Sequence, residues 1–228
     1  MSVAAHLGID LREYDARIRS FIPGYETMLE LGAEALRTTV RGAAPLVVDL
    51  GIGTGALAEA CLQLVPRARI VGIDEDEGML AAARARLGRR LRTAVPGSFE
   101  RIGIPRCHAI VASLALHHIP TQARRLRLFR RLHTALRPGG VLISADCHPS
   151  SNRRLAALDR ADWTRHLEKS YTPAQARRYL RAWAREDHYT TLADELALLQ
   201  RAGFTVDVAG RRRAFAVLVA CVKVSSAG

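Results

Sequence analysis

A glycine-rich segment, DLGIGTG (Asp49–Gly55), follows a short apolar run and precedes an amphipathic stretch. Glycines at such a strand-to-helix turn allow a tight bend and let the backbone approach a ligand closely, and the first turn of the helix offers free N–H donors. The spacing departs from the dinucleotide-binding fingerprint, because Ala56 stands where the third glycine of that fingerprint belongs. The segment therefore predicts a ligand-binding loop of another type.

A second acidic residue, Asp74, ends the next apolar run, Ala68–Asp74. A carboxylate at the end of the second strand of an α/β sheet can accept hydrogen bonds from both ribose hydroxyls of an adenosine. Met79 and Leu80 follow shortly afterwards and can supply an apolar wall for the adenine. The loop and this acid together indicate a ligand that contains a nucleoside.

Alternating apolar runs and amphipathic stretches predict the elements that must hold these residues. The predicted parallel strands are Leu46–Leu50, Ala68–Asp74, Leu91–Val95, His108–Ser113 and Val141–Asp146. The predicted helices between them are Gly55–Leu64, Glu77–Leu87 and Thr121–Leu136, the last stopped by Pro138-Gly139-Gly140. Strands that alternate with helices predict a parallel sheet covered on both faces. After a helix over Thr191–Ala202, two further strands, Phe204–Gly210 and Ala214–Val224, are joined by a short polar turn and should be antiparallel neighbours.

Four blocks, in this order along the chain, resemble the class I S-adenosylmethionine-dependent methyltransferases. They are VVDLGIGTG (Val47–Gly55), VGIDEDEGML (Val71–Leu80), SLALHHI (Ser113–Ile119) and LRPGGVLISAD (Leu136–Asp146). The resemblance covers almost the whole chain and implies an α/β, Rossmann-like fold. Its seven-stranded, mostly parallel sheet would have the order 3-2-1-4-5-7-6, with strand 7 antiparallel. It also implies S-adenosylmethionine as the cofactor, S-adenosylhomocysteine as its product, and methyl transfer to an O, N or C atom of a small-molecule acceptor.

Two helical segments flank or interrupt this predicted core. The N-terminal segment is a pair of helices broken at Pro23-Gly24. The second segment, Ser150–Tyr189, is too long for an ordinary crossover, so we predict that it forms a helical cap over the carboxyl edge of the sheet. We therefore expect a single domain. It divides into an N-terminal helical lid (1–40), a cofactor-binding core (45–149), a helical cap insertion (150–189) and a final helix with the antiparallel strand pair (190–224).

The resemblance implies roles for individual positions. The backbone of Gly51–Gly53 would pass under the methionine part of the cofactor, Asp49 would help hold its ammonium group, and Asp74 would bind the ribose hydroxyls. At Gly97-Ser98-Phe99 the family usually has an acid that accepts from the adenine amino group; in this chain a backbone contact and packing of Phe99 would have to replace it. The full set implied for cofactor binding is Arg19, Tyr25, Asp49, Gly51, Ile52, Gly53, Thr54, Gly55, Asp74, Glu75, Met79, Gly97, Ser98, Phe99, Ser113, Leu114 and His118.

The N-terminal segment FIPGYETML (Phe21–Leu29) resembles the lid of a branch that includes carboxy-S-adenosylmethionine synthase. Tyr25 matches the tyrosine that touches the cofactor in that branch. The synthase also needs an arginine to hold the extra carboxylate of its cofactor, and alignment on Ala202-Gly203-Phe204 puts Leu198 at that position. A leucine cannot make a charge-assisted hydrogen bond, so chemistry with a carboxylated cofactor is kept only as an alternative.

Methyl transfer from a sulfonium is an in-line displacement, and a general base is needed only when the nucleophile carries a proton. The candidates for catalysis are His117, Asp146 and Tyr189. His117 would act on the acceptor as a base or an orienting group, or would only bond to the lid; Asp146 would orient a substrate or cap a loop. Arg19 would pair with the cofactor carboxylate or an anionic acceptor, or lie on a solvated surface. The walls of an acceptor pocket would come from His148, Trp163, His166 and Trp183, although a tryptophan at helical spacing more often belongs to a structural core.

Composition limits the remaining classes of function. The 228 residues carry a net charge of +12, which keeps an RNA- or tRNA-modifying enzyme as an alternative, but the arginines are spread in pairs such as Arg124–Arg125, as on solvated helix faces. A non-catalytic cofactor-binding protein is the alternative of another class. The four scattered cysteines indicate neither disulfides nor a metal site, and no apolar run approaches the ~20 residues of a membrane span. The first residues show no signal peptide, so we expect a cytoplasmic monomer or homodimer without a membrane partner.

Overall fold

The computed structural model describes residues 13–224 and builds a seven-stranded sheet in the order β3-β2-β1-β4-β5-β7-β6. The strands are Leu46–Leu50 (β1), Arg69–Asp74 (β2), Leu91–Pro96 (β3), Cys107–Ser113 (β4), Leu136–Cys147 (β5), Thr205–Arg212 (β6) and Phe215–Cys221 (β7). The first five strands pair in parallel, and β7 is antiparallel to both β5 and β6. The predicted fold class, strand order and reversed last strand are confirmed.

The helices connect these strands and also precede and interrupt the sheet. They are Tyr14–Phe21 (α1), Tyr25–Thr39 (α2), Ala56–Leu64 (α3), Glu77–Leu87 (α4), Gln122–Ala135 (α5), Arg153–Leu167 (α6), Pro173–Glu186 (α7) and Leu192–Arg201 (α8). Thr121 caps α5 by accepting from the backbone N–H of Arg124, and Thr191 caps α8 in the same way through Asp194. No helix within residues 13–224 is both long and apolar enough to cross a membrane.

One boundary differs from the sequence-based expectation. Pro138-Gly139-Gly140 does not separate α5 from a later strand, because β5 already begins at Leu136, opposite Cys107 of β4. Gly139 adopts a positive φ of 73°, and the pairing of β4 with β5 shifts register between Cys107 and Ala109. The glycines therefore form an irregular start of a long strand, which β-bulges permit.

Apolar layers cover both faces of the sheet. The layer on one face includes Leu36 of α2 and Leu57 of α3; the layer on the other includes Phe129 of α5. A Cβ atom at Gly32 would lie 3.1 Å from Cδ1 of Leu57, so a glycine at that position lets α2 approach α3 closely. The second helix of the predicted lid is thus part of the core layer. Residues 1–12 of that lid lie outside the described residues.

The cap segment holds α1 through aromatic packing. Trp163 of α6 donates from Nε1 to the carbonyl oxygen of Phe21 at 2.7 Å. Phe21 also packs against Trp183 of α7 and Tyr171, with ring centroids 5.3 and 5.5 Å apart. Trp163 lies edge-on to Phe215, at the start of β7 and opposite Cys147 at the carboxyl end of β5. The cap therefore covers the carboxyl edge of the sheet on this side and fixes the position of α1.

A buried ion pair joins α5 to α8. Nη1 of Arg125 lies 3.0 and 3.2 Å from the two carboxylate oxygens of Glu195, and Nη2 donates to the carbonyl oxygen of His188 at 3.1 Å. The two residues are 1% and 0% exposed. The expectation that the Arg124–Arg125 pair lies on a solvated helix face is therefore wrong for Arg125, because the facing acid comes from a distant helix.

Candidate functional site

A cavity of about 550 Å³ opens where β1, β2 and β4 end. Asp49, Asp74 and Ser113, which come from the ends of these three strands, all line it. Ligands of open α/β sheets bind at this edge, beyond the carboxyl ends of the strands. We refer to this space as the main cavity.

The glycine-rich loop forms one wall of the main cavity. Gly51 and Gly53 adopt positive φ values of 64° and 55°, which side-chain-bearing residues rarely accept. A Cβ at Gly51 would lie 2.7 Å from Cβ of Ala115, whereas a Cβ at Gly53 would meet only the carbonyl oxygen of Gly51, at 4.0 Å. Close packing thus requires glycine at 51, while Gly53 faces open space.

Asp74 joins the loop to the end of β2. Its Oδ2 accepts from the backbone N–H of Gly53 at 2.8 Å, and its Oδ1 accepts from that of Asp76 at 2.9 Å. Burial raises the pKa of Asp74, and these two backbone hydrogen bonds only partly offset that effect. The carboxylate is fixed in orientation and still has lone pairs that face the cavity.

Asp49 is the most deeply buried acid of this cavity. It is 1% exposed, and its Oδ2 accepts no hydrogen bond from the described part of the chain. Burial, and to a smaller extent the charge of Asp74, raises the pKa of Asp49 well above its ordinary value. A buried carboxylate oxygen without a donor is costly, so this position suits a ligand that brings a cationic or N–H donor group.

Three polar side chains attach α1 to the glycine-rich loop. Thr54 donates from Oγ1 to Asp15 of α1 at 2.6 Å, and Arg86 of α4 pairs with Asp15 and donates to Thr54 at 3.1 Å. Tyr14, next to Asp15 in sequence, lines the main cavity. We call Asp15, Thr54 and Arg86 the lid clamp. Asp15 and Tyr14 had no role in the sequence analysis, because nothing in the local pattern of α1 shows which loop it faces.

Replacing Asp15 with alanine should loosen α1 without unfolding the domain. The side chains of Arg86 and Asp15 are 22% and 32% exposed, so we expect a loss of about 1 kcal/mol, as for partly screened pairs. Amide hydrogen exchange over residues 14–21 should become faster, and exchange in β1 should not change. Asp15→Asn keeps an acceptor for Thr54 and should give a smaller effect; unchanged exchange over 14–21 in Asp15→Ala would rule out the clamp.

A second, smaller cavity adjoins the main one and shares Tyr14, Leu114 and His118 with it. Its walls are mainly aromatic, from α1, the cap and β7. The aromatic lining residues are Tyr14, Phe21, Trp163, Trp183, Tyr189 and Phe215. We refer to this space as the aromatic cavity.

His117 lines the aromatic cavity, and Asp146 fixes the orientation of its ring through a contact with Nδ1. Nδ1 of His117 lies 2.6 Å from Oδ1 of Asp146, whose Oδ2 accepts from the backbone N–H groups of Leu116 and His117 at 3.0 and 3.2 Å. Burial by itself lowers the pKa of His117, but the adjacent Asp146 outweighs it and the pKa is raised. Burial opposes ionisation of Asp146 as well, yet the charge of His117 holds the pKa of this acid well below its usual range.

Asp187 is a third acid near these histidines and was missed in the sequence analysis. Its Oδ2 accepts from the hydroxyl of Tyr189, and its Oδ1 lies 3.5 Å from Nδ1 of His118 and 3.8 Å from Nε2 of His117. Burial raises the pKa of Asp187, but the imidazoles of His118 and His117 reverse this and leave the pKa lowered. Asp187 follows α7 immediately in the cap, so no periodicity or motif linked it to residues seventy positions earlier.

The structure brings most of the predicted cofactor positions together around the main cavity. The predicted residues that line it are Tyr25, Asp49, Gly51, Ile52, Gly53, Thr54, Asp74, Glu75, Met79, Ser98, Phe99, Ser113, Leu114 and His118. Gly55 instead forms the N-cap of α3 against Leu87, and Gly97 makes a positive-φ turn against Ile102. Arg19 lies outside both cavities and pairs with Glu26. This is the solvated surface position that the sequence analysis gave as one of its alternatives.

The predicted acceptor residues and the catalytic candidate Tyr189 separate into two groups. Trp163, Trp183 and Tyr189 line the aromatic cavity and also belong to the apolar core or pack against it. His148 and His166 do not line either cavity: Nδ1 of His148 lies 3.2 Å from the carbonyl oxygen of Thr190, and Nε2 of His166 lies 3.1 Å from that of Arg19. Burial lowers the pKa of both histidines.

The chain is similar to known methyltransferases in sequence and in fold. Residues 47–140 match a family model described as a methyltransferase domain. A carboxy-S-adenosyl-L-methionine synthase of Geobacter metallireducens is 31% identical over 137 residues, which cover 57% of this chain and 55% of that protein. A methyltransferase of Geobacillus sp. is 26% identical over 212 residues, 92% of each chain. Human N-acetylserotonin methyltransferase, solved with S-adenosylmethionine, superposes with a TM-score of 0.60 at 19% identity, over 85% of this chain and 52% of that one. The chain thus spans about half the length of the carboxy-S-adenosyl-L-methionine synthase that it matches.

Proposed function

We propose, from the premise that this chain belongs to the class I S-adenosylmethionine-dependent methyltransferases, that it transfers the methyl group of S-adenosylmethionine to a small molecule bound where the main cavity meets the aromatic cavity. The observation that carries the proposal is the pair of buried acids, Asp49 and Asp74, beside a backbone wall of glycines in the main cavity. S-adenosylmethionine offers complementary groups, namely an ammonium, two ribose hydroxyls and a flat adenine.

In this proposal each part of the cofactor meets a suitable surface. The ammonium would donate to the unpartnered Oδ2 of Asp49, and the ribose hydroxyls would donate to the carboxylate of Asp74. Met79 and Phe99, which line the same cavity, would pack on the adenine. The methionine part would lie along Gly51–Gly53, where a side chain at Gly53 would intrude into the cavity.

The reacting group of the acceptor would lie where the two cavities meet, at Leu114 and His118, because the aromatic cavity of about 60 Å³ has room only for a small group. Aromatic walls favour a molecule with an apolar or flat body and exclude water from the sulfonium. His117, held by Asp146, would orient the nucleophilic atom of the acceptor for an in-line displacement. In this proposal His117 faces the acceptor and Asp146 positions the ring of His117. Tyr189 would help to position Asp187.

Chemistry with a carboxylated cofactor, the alternative raised by the lid segment, lacks the side chain it would need. At the position where the carboxy-S-adenosylmethionine synthase branch needs an arginine, this chain has Leu198. The side chain of Leu198 extends from α8 into an apolar layer of the core and is 3% exposed. A buried aliphatic side chain offers no hydrogen-bond donor to a carboxylate.

Calorimetric titration of the purified protein tests the first half of this proposal. We expect S-adenosylmethionine and S-adenosylhomocysteine to bind at one site per chain, and NAD to give no heat of binding. Release of S-adenosylhomocysteine with a panel of small aromatic alcohols and amines would then identify the acceptor. Binding of NAD in place of both sulfur compounds would overturn the proposal.

A further inference from the structure

Two histidines and an acid converge between the main and aromatic cavities. His117, His118 and Asp187 each offer one possible ligand atom, and these three atoms lie within 4.8 Å of one another. Oδ1 of Asp187 is 3.5 Å from Nδ1 of His118 and 3.8 Å from Nε2 of His117. His117 and His118 are adjacent in a 3₁₀ turn after β4, whereas Asp187 is supplied by the cap.

These separations are close to those between ligands of a common metal ion. Zinc bonds of about 2.0–2.1 Å to nitrogen and oxygen put the ligand atoms of a tetrahedral site about 3.3–3.5 Å apart. The side chain of Asp187 is 6% exposed, and its Oδ1 faces Nδ1 of His118 at 3.5 Å and Nε2 of His117 at 3.8 Å. A buried carboxylate oxygen that faces two imidazole nitrogens in this way is directed at a point between them.

The hydrogen-bond partners behind His117 and Asp187 are also of the kind found around metal sites. Asp146 accepts from the far nitrogen of His117, which fixes the ring and leaves Nε2 facing Asp187. The hydroxyl of Tyr189 donates to Oδ2 of Asp187 and leaves Oδ1 facing the histidines. Carboxylates behind metal-binding histidines and hydrogen bonds to metal-binding carboxylates are the usual second layer of such sites.

We propose that His117, His118 and Asp187 bind one divalent transition-metal ion, with zinc the best match to this nitrogen and oxygen set. Three protein ligands leave a coordination position open, as in catalytic zinc sites. That position would adjoin the aromatic cavity, so the ion, in place of the His117 imidazole itself, would hold an acceptor hydroxyl and lower its pKa. The hydroxyl would lose its proton to solvent, and its oxygen would bond to the methyl carbon as the carbon–sulfur bond breaks. This last role depends on the proposed function, but binding of the ion does not.

Metal titration of the full chain tests the site without any acceptor. After treatment with a chelator, the wild-type protein should bind one Zn²⁺ per chain with micromolar or tighter affinity by calorimetry, and Co²⁺ should give visible absorption bands of a protein-bound ion. Asp146→Asn should weaken Zn²⁺ binding about 10–100-fold, as loss of a second-layer partner does, and Asp187→Asn should weaken it further. His166→Ala removes a cap histidine that bonds to the carbonyl oxygen of Arg19 outside the cluster, and it should leave Zn²⁺ affinity unchanged.

Binding of S-adenosylmethionine is measured on the same samples and separates the two proposals. Zinc binding without cofactor binding would leave the metal site standing and refute the proposed function. Equal Zn²⁺ affinity in wild type and Asp187→Asn, or no stoichiometric binding by wild type, would overturn the site. Should Asp187→Asn fail to fold, His118→Gln carries the same test, because the side chain of His118 is 43% exposed.

Discussion

Replacing Asp74 with alanine should weaken binding of S-adenosylmethionine about 100-fold, because hydrogen bonds to a charged acceptor contribute about 1.5–3 kcal/mol each and a factor of 100 corresponds to about 2.7 kcal/mol. The carboxylate would bind both ribose hydroxyls and already holds the N–H of Gly53, so its loss removes cofactor contacts and loosens the loop that lines the cavity. Calorimetric titration with S-adenosylmethionine and S-adenosylhomocysteine measures the change in affinity.

The matched control is Glu77→Ala. Glu77 is an exposed acid in the first turn of α4, three residues after Asp74, and it does not line either cavity. This variant removes the same charge nearby and should bind the cofactor like wild type. Asp74→Asn retains one oxygen and should be intermediate. If Asp74→Ala melts and binds like Glu77→Ala, the ribose assignment is wrong.

Replacing Arg125 with methionine should lower the free energy of unfolding by about 3–5 kcal/mol, because it leaves the carboxylate of Glu195 buried without its cation. The pair is almost fully buried, and Arg125 also holds the carbonyl of His188 at the end of the cap. Urea unfolding monitored by circular dichroism measures the loss, with the midpoint and slope both recorded.

Arg124→Met provides the comparison within the same helix turn. Arg124 makes two hydrogen bonds to Glu100, at 2.9 and 2.7 Å, but its side chain is 45% exposed. An exposed pair contributes at most about 1 kcal/mol, so the two neighbouring substitutions should differ several-fold. The double variant Arg125→Met with Glu195→Leu should recover much of the lost stability, since it removes both charges. Equal effects at 124 and 125 would contradict this account of the buried pair.

The sheet was largely predictable because its signals are local. Buried parallel strands need continuous apolar runs, and Leu46–Leu50 and Arg69–Asp74 were recognised for that reason. The positive-φ glycines after β1 and the cap at Thr121 could also be predicted from short segments. A few neighbouring residues decide whether such a turn or cap can form. The start of β5 was mispredicted because Pro138-Gly139-Gly140 is a stop signal for a helix and also a tolerated irregularity in a strand.

The residues gathered around the cavities show the limit of such local information. The sequence by itself determined the glycine-rich loop and the positions of Asp49 and Asp74, because each depends on backbone geometry within one strand-loop-helix unit. The strand order was implied by the resemblance of four sequence blocks to a known family, and the structure confirms it. Only the tertiary structure decided that Asp187 faces His117, that Arg125 meets Glu195 and that Arg19 stays outside the site. Those contacts depend on the packing angle and depth of the cap and of α8 against the sheet. Contacts between side chains far apart in sequence determine this angle and depth, and the local hydrophobic periodicity carries no information about them.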